Sequence, residues 1–221
     1  MYQQLEKPIE ICTVKSPSAS VIWLHGLGAD GSDFVPVVKM LNLPNIRFIL
    51  PHAPYQKISM NDGYEMRAWY DLFGLKSSQP QDEAGIEASR AYIESLITQE
   101  NQRGIANNKI ILAGFSQGGA SALHTMVRQK QALAGVLALS TYLPLHAKLS
   151  TEKTIASLTT PIFMAHGSFD EVITLDRCKA SLAVLEDNAY QIELHEYAMA
   201  HSVCPQEIND IRVFLLSTLG H

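Results

Sequence analysis

Residues 110–119 read Ile110-Ile111-Leu112-Ala113-Gly114-Phe115-Ser116-Gln117-Gly118-Gly119. A short continuous apolar run of this kind suits a strand buried on both faces. It runs into Gly-x-Ser-x-Gly, and a helical pattern over residues 117–130 follows at once. A turn tight enough to project a serine from a strand end strains the backbone, and side chains at Gly114 and Gly118 would crowd it. Ser116 at the head of a helix also sits near the positive end of the helix dipole, where an anionic intermediate is stabilised. As a bare pattern Gly-x-Ser-x-Gly recurs by chance. Between a buried strand and a helix it reads as a nucleophile turn. Ser121 and Ser140 lack that context and read as ordinary polar residues.

Outward from this turn, short β-rich runs alternate with longer helical patterns. Strands are expected at residues 9–14, 21–24, 47–50, 109–113, 135–139, 162–165 and 191–197, and helices at 82–103, 117–130, 176–187 and 206–219. The long helix carries Ile86, Ile93, Leu96 and Ile97 at helical spacing, with Asp82 and Glu83 at its start and Gly104 just past its end. This rhythm predicts an α/β fold, a mostly parallel central sheet with helices on both faces, as a single domain over residues 1–221. Ligands of such sheets sit beyond the carboxyl ends of the strands.

A serine nucleophile needs a base, and the base needs an orienting carboxylate. On this fold the chain order is Ser, then Asp or Glu, then His. Of the histidines that follow, His195 lies inside the last strand and His221 ends the chain, whereas His201 falls in the loop between the last strand and last helix. His201 is therefore the expected base. Asp170 lies in the loop after the strand at 162–165 and is the expected acid. Glu171 is its rival as a solvated loop charge, and Asp176 reads as the cap of the next helix. The oxyanion of an acyl-transfer intermediate needs two donors. The Gln117 N–H is one, and the Leu27 N–H, in the Gly-rich loop His25-Gly26-Leu27-Gly28 after an early strand, is the other. That loop lacks the G-x-G-x-x-G pattern and the lysine of a phosphate-binding loop. His25 reads as a hydrogen-bonding residue of the loop and not as a second base. The apolar stretch at residues 72–75 either closes the core or shields a substrate.

The bulk numbers fit this picture. With 221 residues, 47% hydrophobic and 18% charged, the chain has material for a sizeable core and is not disordered in composition. A net charge of -5 gives no electrostatic reason for a nucleic-acid partner or a grip on anionic lipid. Cys12, Cys178 and Cys204 are odd in number and widely spaced, with no CxxC, which suits a reducing, cytoplasmic setting and no metal site. The start, Met1 to Pro8, lacks the apolar core of a signal peptide, and no apolar run approaches the ~20 residues of a membrane span.

Taken together, these residues give the chain a resemblance to the carboxylesterase/phospholipase family of α/β-hydrolases that includes the acyl-protein thioesterases. Besides the nucleophile turn, the resemblance rests on Leu24-His25-Gly26-Leu27-Gly28, Pro51-His52-Ala53-Pro54, Met66-Arg67-Ala68-Trp69-Tyr70-Asp71 and Asp82-Glu83-Ala84-Gly85-Ile86. It continues through Ser140-Thr141-Tyr142-Leu143-Pro144, His166-Gly167-Ser168-Phe169-Asp170 and Met199-Ala200-His201-Ser202. It implies a triad of Ser116, Asp170 and His201, with Leu27 and Gln117 as the oxyanion hole. It also implies that Leu72, Phe73 and Leu75 belong to a flap over an acyl groove lined by Trp69 and Leu143. No cofactor is implied. The substrates implied are a small acyl ester, a lysophospholipid or an acylated protein, hydrolysed through an acyl-enzyme. Lysophospholipase action on dispersed lipid and a non-catalytic binding role are the alternatives. A homodimer is compatible with the sequence, which shows no self-complementary patch. Ala198-Met199-Ala200 departs from the family, where glycine is frequent, and alanine there is expected to restrict the backbone that poses His201.

Overall fold

The computed structural model describes residues 6–76 and 78–220. The expectations for Met1 to Leu5 and for His221 lie outside them. Seven strands form the main sheet: β1 (Ile9–Ile11), β2 (Ala19–Leu24), β3 (Ile46–Leu50), β6 (Ile110–Phe115), β7 (Gly135–Leu139), β8 (Ile162–Gly167) and β9 (Ile192–Tyr197). Their order is β1-β3-β2-β6-β7-β8-β9, with β1 antiparallel to β3 and every other pairing parallel. Two strands that the sequence did not suggest, β4 (Tyr55–Ile58) and β5 (Tyr64–Arg67), form a separate antiparallel hairpin. The helices are α1 (Val35–Leu41), α2 (Glu83–Gln102), α3 (Gln117–Met126), the single turn α4 (Leu149–Glu152), α5 (Leu175–Asp187) and α6 (Pro205–Leu219).

All six residues of β2 and all five of β7 are buried, as a strand covered on both faces requires. Side chains alternate between two cores. Ile22 and Leu24 of β2 join Ile93 of α2, Leu123 of α3 and Leu185 of α5 on one face. Val21 and Trp23 join Leu41 of α1 and Ile211 of α6 on the other. Asp82 caps α2 by accepting the Gly85 N–H at 3.0 Å, and the chain leaves that helix through Gly104 at φ +91°. The cap of α5 is Thr174, which accepts the Arg177 N–H. Asp176 therefore does not cap the helix but occupies its first turn, where its charge complements the helix dipole. Helix α3 is shorter than the expected 117–130 because the chain turns out of it after Met126.

The order of strands reverses between β2 and β6. From β2 the chain moves outward to β3, then returns to add β6 on the other side. Such a switch point opens a crevice beyond the carboxyl ends of the two strands. The loop after β2 carries Leu27, and the turn after β6 carries Ser116.

Candidate active site

Ser116 sits between β6 and α3 with φ 53° and ψ −120°, a conformation that costs a non-glycine residue about 1–3 kcal/mol. Packing enforces it. A Cβ on Gly114 would lie 2.3 Å from the carbonyl of Gly118, and one on Gly118 would lie 2.3 Å from the oxygen of Leu24. Only glycine at both positions lets α3 begin directly against β2. The turn is further fixed by Ser116 N–H, which donates to the Leu139 oxygen at 2.9 Å, and by the Thr141 hydroxyl, which donates to the Ser116 carbonyl at 2.7 Å.

Asp170 is buried in the loop after β8. Its Oδ1 accepts the N–H groups of Val172 and Ile173, each at 2.9 Å, and its Oδ2 accepts Nδ1–H of His201 at 2.7 Å. With Nδ1 committed, Nε2 is the nitrogen of His201 left to take a proton. Glu171 is exposed and takes no part in this pairing. The loops of Asp170 and His201 touch because Gly167 has no side chain. A Cβ there would lie 2.4 Å from the carbonyl oxygens of both Met199 and Ala200. The ring of His201 also packs on Phe115, centroids 4.7 Å apart. Residues 198–200 hold no positive φ, so alanine is accommodated at 198 and 200 without strain and the expected restriction does not arise.

Ser116 and His201 line one cleft of about 240 Å³, together with Leu27, Gln117, Leu72 and Leu75. Gln117 N–H is the first of α3 and has no helical acceptor by its position. The neighbours of Leu27 are held open by other bonds, Gly28 N–H to Arg67 O at 2.8 Å and Ala29 N–H to Gly26 O at 3.3 Å. His25 is 1% exposed and its ring is occupied on both sides, Nδ1 with Gly26 O at 2.7 Å and Nε2 accepting Ala53 N–H at 3.0 Å. Burial pushes its pKa down to about 4, so it is a neutral brace for the loop and not a base.

Three expected pocket residues lie outside this cleft. Trp69 is in the core, its indole N–H on the His25 carbonyl at 2.8 Å, so the ring braces the loop from beneath. Leu143 is also in the core and lines a separate hollow with Arg177 and Val184. Phe73 is 44% exposed and absent from the cleft wall.

Other residues of the site carried no legible signal. The Gln117 side chain accepts Trp69 N–H at 2.9 Å and donates to Tyr70 O at 2.7 Å, which clamps the segment before residues 72–75 onto α3. His166, buried at the end of β8, donates Nε2–H to Ile173 O at 2.7 Å and lies 3.4 Å from Asp170 Oδ2. A histidine one residue before the glycine of a strand end is the only hint of it in the sequence. Met60, Tyr142 and Ile173 complete the apolar wall, and Asp33 brings a carboxylate to it.

The same architecture recurs in known proteins. The acyl-protein thioesterase 1 of Mycosarcoma maydis is 40% identical over 220 residues, 90% of each chain. That of Cryptococcus neoformans is 37% identical over 232 residues, 96% of this chain and 98% of the relative. The crystal structure of Zea mays acyl-protein thioesterase 2 matches with a TM-score of 0.88 at 27% identity, over 97% of this chain and 99% of that one. The fold is thus that of the α/β-hydrolases. The family model for phospholipases and carboxylesterases matches residues 7–219. The chain belongs to the phospholipase/carboxylesterase family.

Proposed function

We propose that the protein is a serine hydrolase that cleaves acyl esters and thioesters through an acyl-enzyme on Ser116, with Asp170 and His201 completing the triad in one α/β domain. The observation that carries this reading is the 2.7 Å pairing of His201 with buried Asp170, on the wall of the cleft that holds Ser116 in its strained turn. In acylation, His201 Nε2 takes the Ser116 proton as Oγ attacks the acyl carbonyl. The N–H groups of Leu27 and Gln117 donate to the resulting oxyanion. Collapse of the intermediate expels the alkoxide or thiolate, which takes the proton back from His201. A water, deprotonated by the same nitrogen, then attacks the acyl carbon, and the bond to Ser116 Oγ breaks as Oγ takes that proton from His201, freeing the carboxylic acid.

Leu72, Leu75, Met60 and Tyr142 make the cleft largely apolar, which suits an acyl chain. The relatives named acyl-protein thioesterase support an acylated protein as the substrate class. Among the described residues no helix is long and apolar enough to cross a membrane, and the free thiols Cys12, Cys178 and Cys204 suit a cytoplasmic setting.

Replacing Ser116 with Ala tests this reading. Hydrolysis of p-nitrophenyl butanoate is expected to fall by roughly 10³-fold or more, leaving the residual rate that an intact oxyanion hole sustains. An undiminished rate in a folded Ser116→Ala protein overturns it and leaves the non-catalytic reading standing.

A further inference from the structure

The acyl-transfer chemistry makes no use of Arg177, yet this residue is held on two sides. Its guanidinium lies over the ring of Tyr142, with Cζ 3.5 Å from the centroid. Its Nη1 donates to the carbonyl of Leu75 at 2.6 Å. Arg177 therefore joins the first turn of α5 to the flap whose Leu72 and Leu75 line the cleft. Tyr142 is pinned from the other side, its hydroxyl 3.0 Å from that of buried Tyr70.

The position of this pair matters more than its strength. Tyr142 lines the catalytic cleft and also a second hollow, walled by Leu143, Ala180 and Val184 with Gln81, His146 and Ser181 at its sides. Arg177 lines the hollow but not the cleft. Tyr142 is thus the wall they share, and Arg177 backs it from the hollow side. At about 240 Å³ the cleft is below the usual range for ligand pockets, roughly 300–1,000 Å³, so it is short for a long acyl chain. Continuing past Tyr142 would add apolar wall from Leu143 and Val184.

We propose that Arg177 is a specificity-determining latch that limits acyl-chain length. Stacked on Tyr142 and bonded to Leu75, it ends the cleft at Leu72, Leu75 and Tyr142, and short chains are preferred. When it is displaced, the cleft joins the hollow and longer chains are accepted. A planar fork suits this role because it stacks on a ring and donates in its own plane at once, which an ammonium cannot do. The proposal rests on acyl transfer at Ser116.

The test compares kcat/KM for p-nitrophenyl butanoate and decanoate in the wild type, Arg177→Ala, and Arg177→Ala with Val184→Phe, each checked for folding by its thermal transition. A methylene newly accepted by an apolar pocket is worth about tenfold or more. Arg177→Ala is therefore expected to raise the decanoate-to-butanoate ratio by about tenfold. Val184→Phe, by filling the hollow, is expected to return the ratio to the wild-type value. A ratio that stays the same or falls in Arg177→Ala overturns the latch. So does a raised ratio that Val184→Phe leaves in place. A wild type that turns over neither ester defeats the acyl-transfer reading itself, an outcome distinct from both.

Discussion

Asp170 commits one carboxylate oxygen to its own loop and the other to His201. That division predicts that even a conservative change is costly. In Asp170→Asn the oxygen can still accept Val172 and Ile173 N–H, so the loop and the melting temperature should change little. The amide nitrogen then faces His201 Nδ1, and the ring must take the tautomer that leaves Nε2 protonated. A loss in kcat of about 10⁴-fold is expected, as for the equivalent change in serine proteases. Steady-state kinetics beside a thermal melt checks this, and a loss under tenfold would contradict the assigned role. His166 supports the same carboxylate from behind, and its pKa is lowered by burial. The residues that converge on the cleft were legible from their position at strand ends and their order along the chain. The Gln117 clamp was not, because its partners are backbone groups 47 and 48 residues away, and His166 was not, because its bond to Ile173 O depends on how the loop after β8 folds back.

At the scale of elements, the tightest constraint is the start of α3 against the end of β2. In Gly118→Ala the added carbon meets the backbone oxygen of Leu24 at 2.3 Å, so strand and helix must separate. Overpacking of this kind typically costs 1–3 kcal/mol and sometimes more. The thermal transition should fall well below that of Gly104→Ala, where the added carbon meets nothing within 4 Å and only the positive φ is penalised. Equal effects of the two changes would show that the strand–helix contact is less tight than described. Strands were legible here where they are buried on both faces, and β7 falls on residues 135–139 as expected. The hairpin of β4 and β5 was not, since the adjacent Gln56 and Lys57 break the alternation of β4 and four residues of β5 are too few to show a period. Helix α1 was also hidden, having only seven residues and no side-chain cap. The wall of the cleft was only partly legible. Residues 72–75 are irregular, with bends at Phe73 and Leu75, and without a period nothing in the sequence says that Leu72 and Leu75 face inward while Phe73 does not.

Across the whole molecule, buried titratable groups give stability a defined pH dependence. Burial lowers the pKa of both His25 and His124 from 6.5 to about 4. As pH falls below 6.5 the unfolded chain binds protons that the folded chain refuses, so stability drops toward pH 4. Glu207 acts in the opposite sense. Its carboxylate is buried, and burial raises its pKa from 4.5 to about 8 against the opposing backbone hydrogen bond at Cys204. Between those values the folded chain keeps a proton that the unfolded chain has lost, so stability falls as pH rises. Below 6.5 the two histidines outweigh the one glutamate, and above it the glutamate acts alone. The thermal transition is therefore expected to be highest near pH 6.5. In Glu207→Gln the alkaline decline should disappear, a relative gain of roughly 2 kcal/mol between pH 6.5 and 8. Melting curves across pH 4–9 check both statements, and a parallel decline in the two proteins would remove Glu207 from the account.

The central claim is that Ser116 is the residue that becomes acylated. The most direct measurement is reaction of the folded protein with a fluorophosphonate, followed by intact mass and peptide mapping. One adduct per chain is expected, on the peptide that contains Ser116, and none in Ser116→Ala. No adduct, or an adduct on another serine that persists in Ser116→Ala, would contradict it.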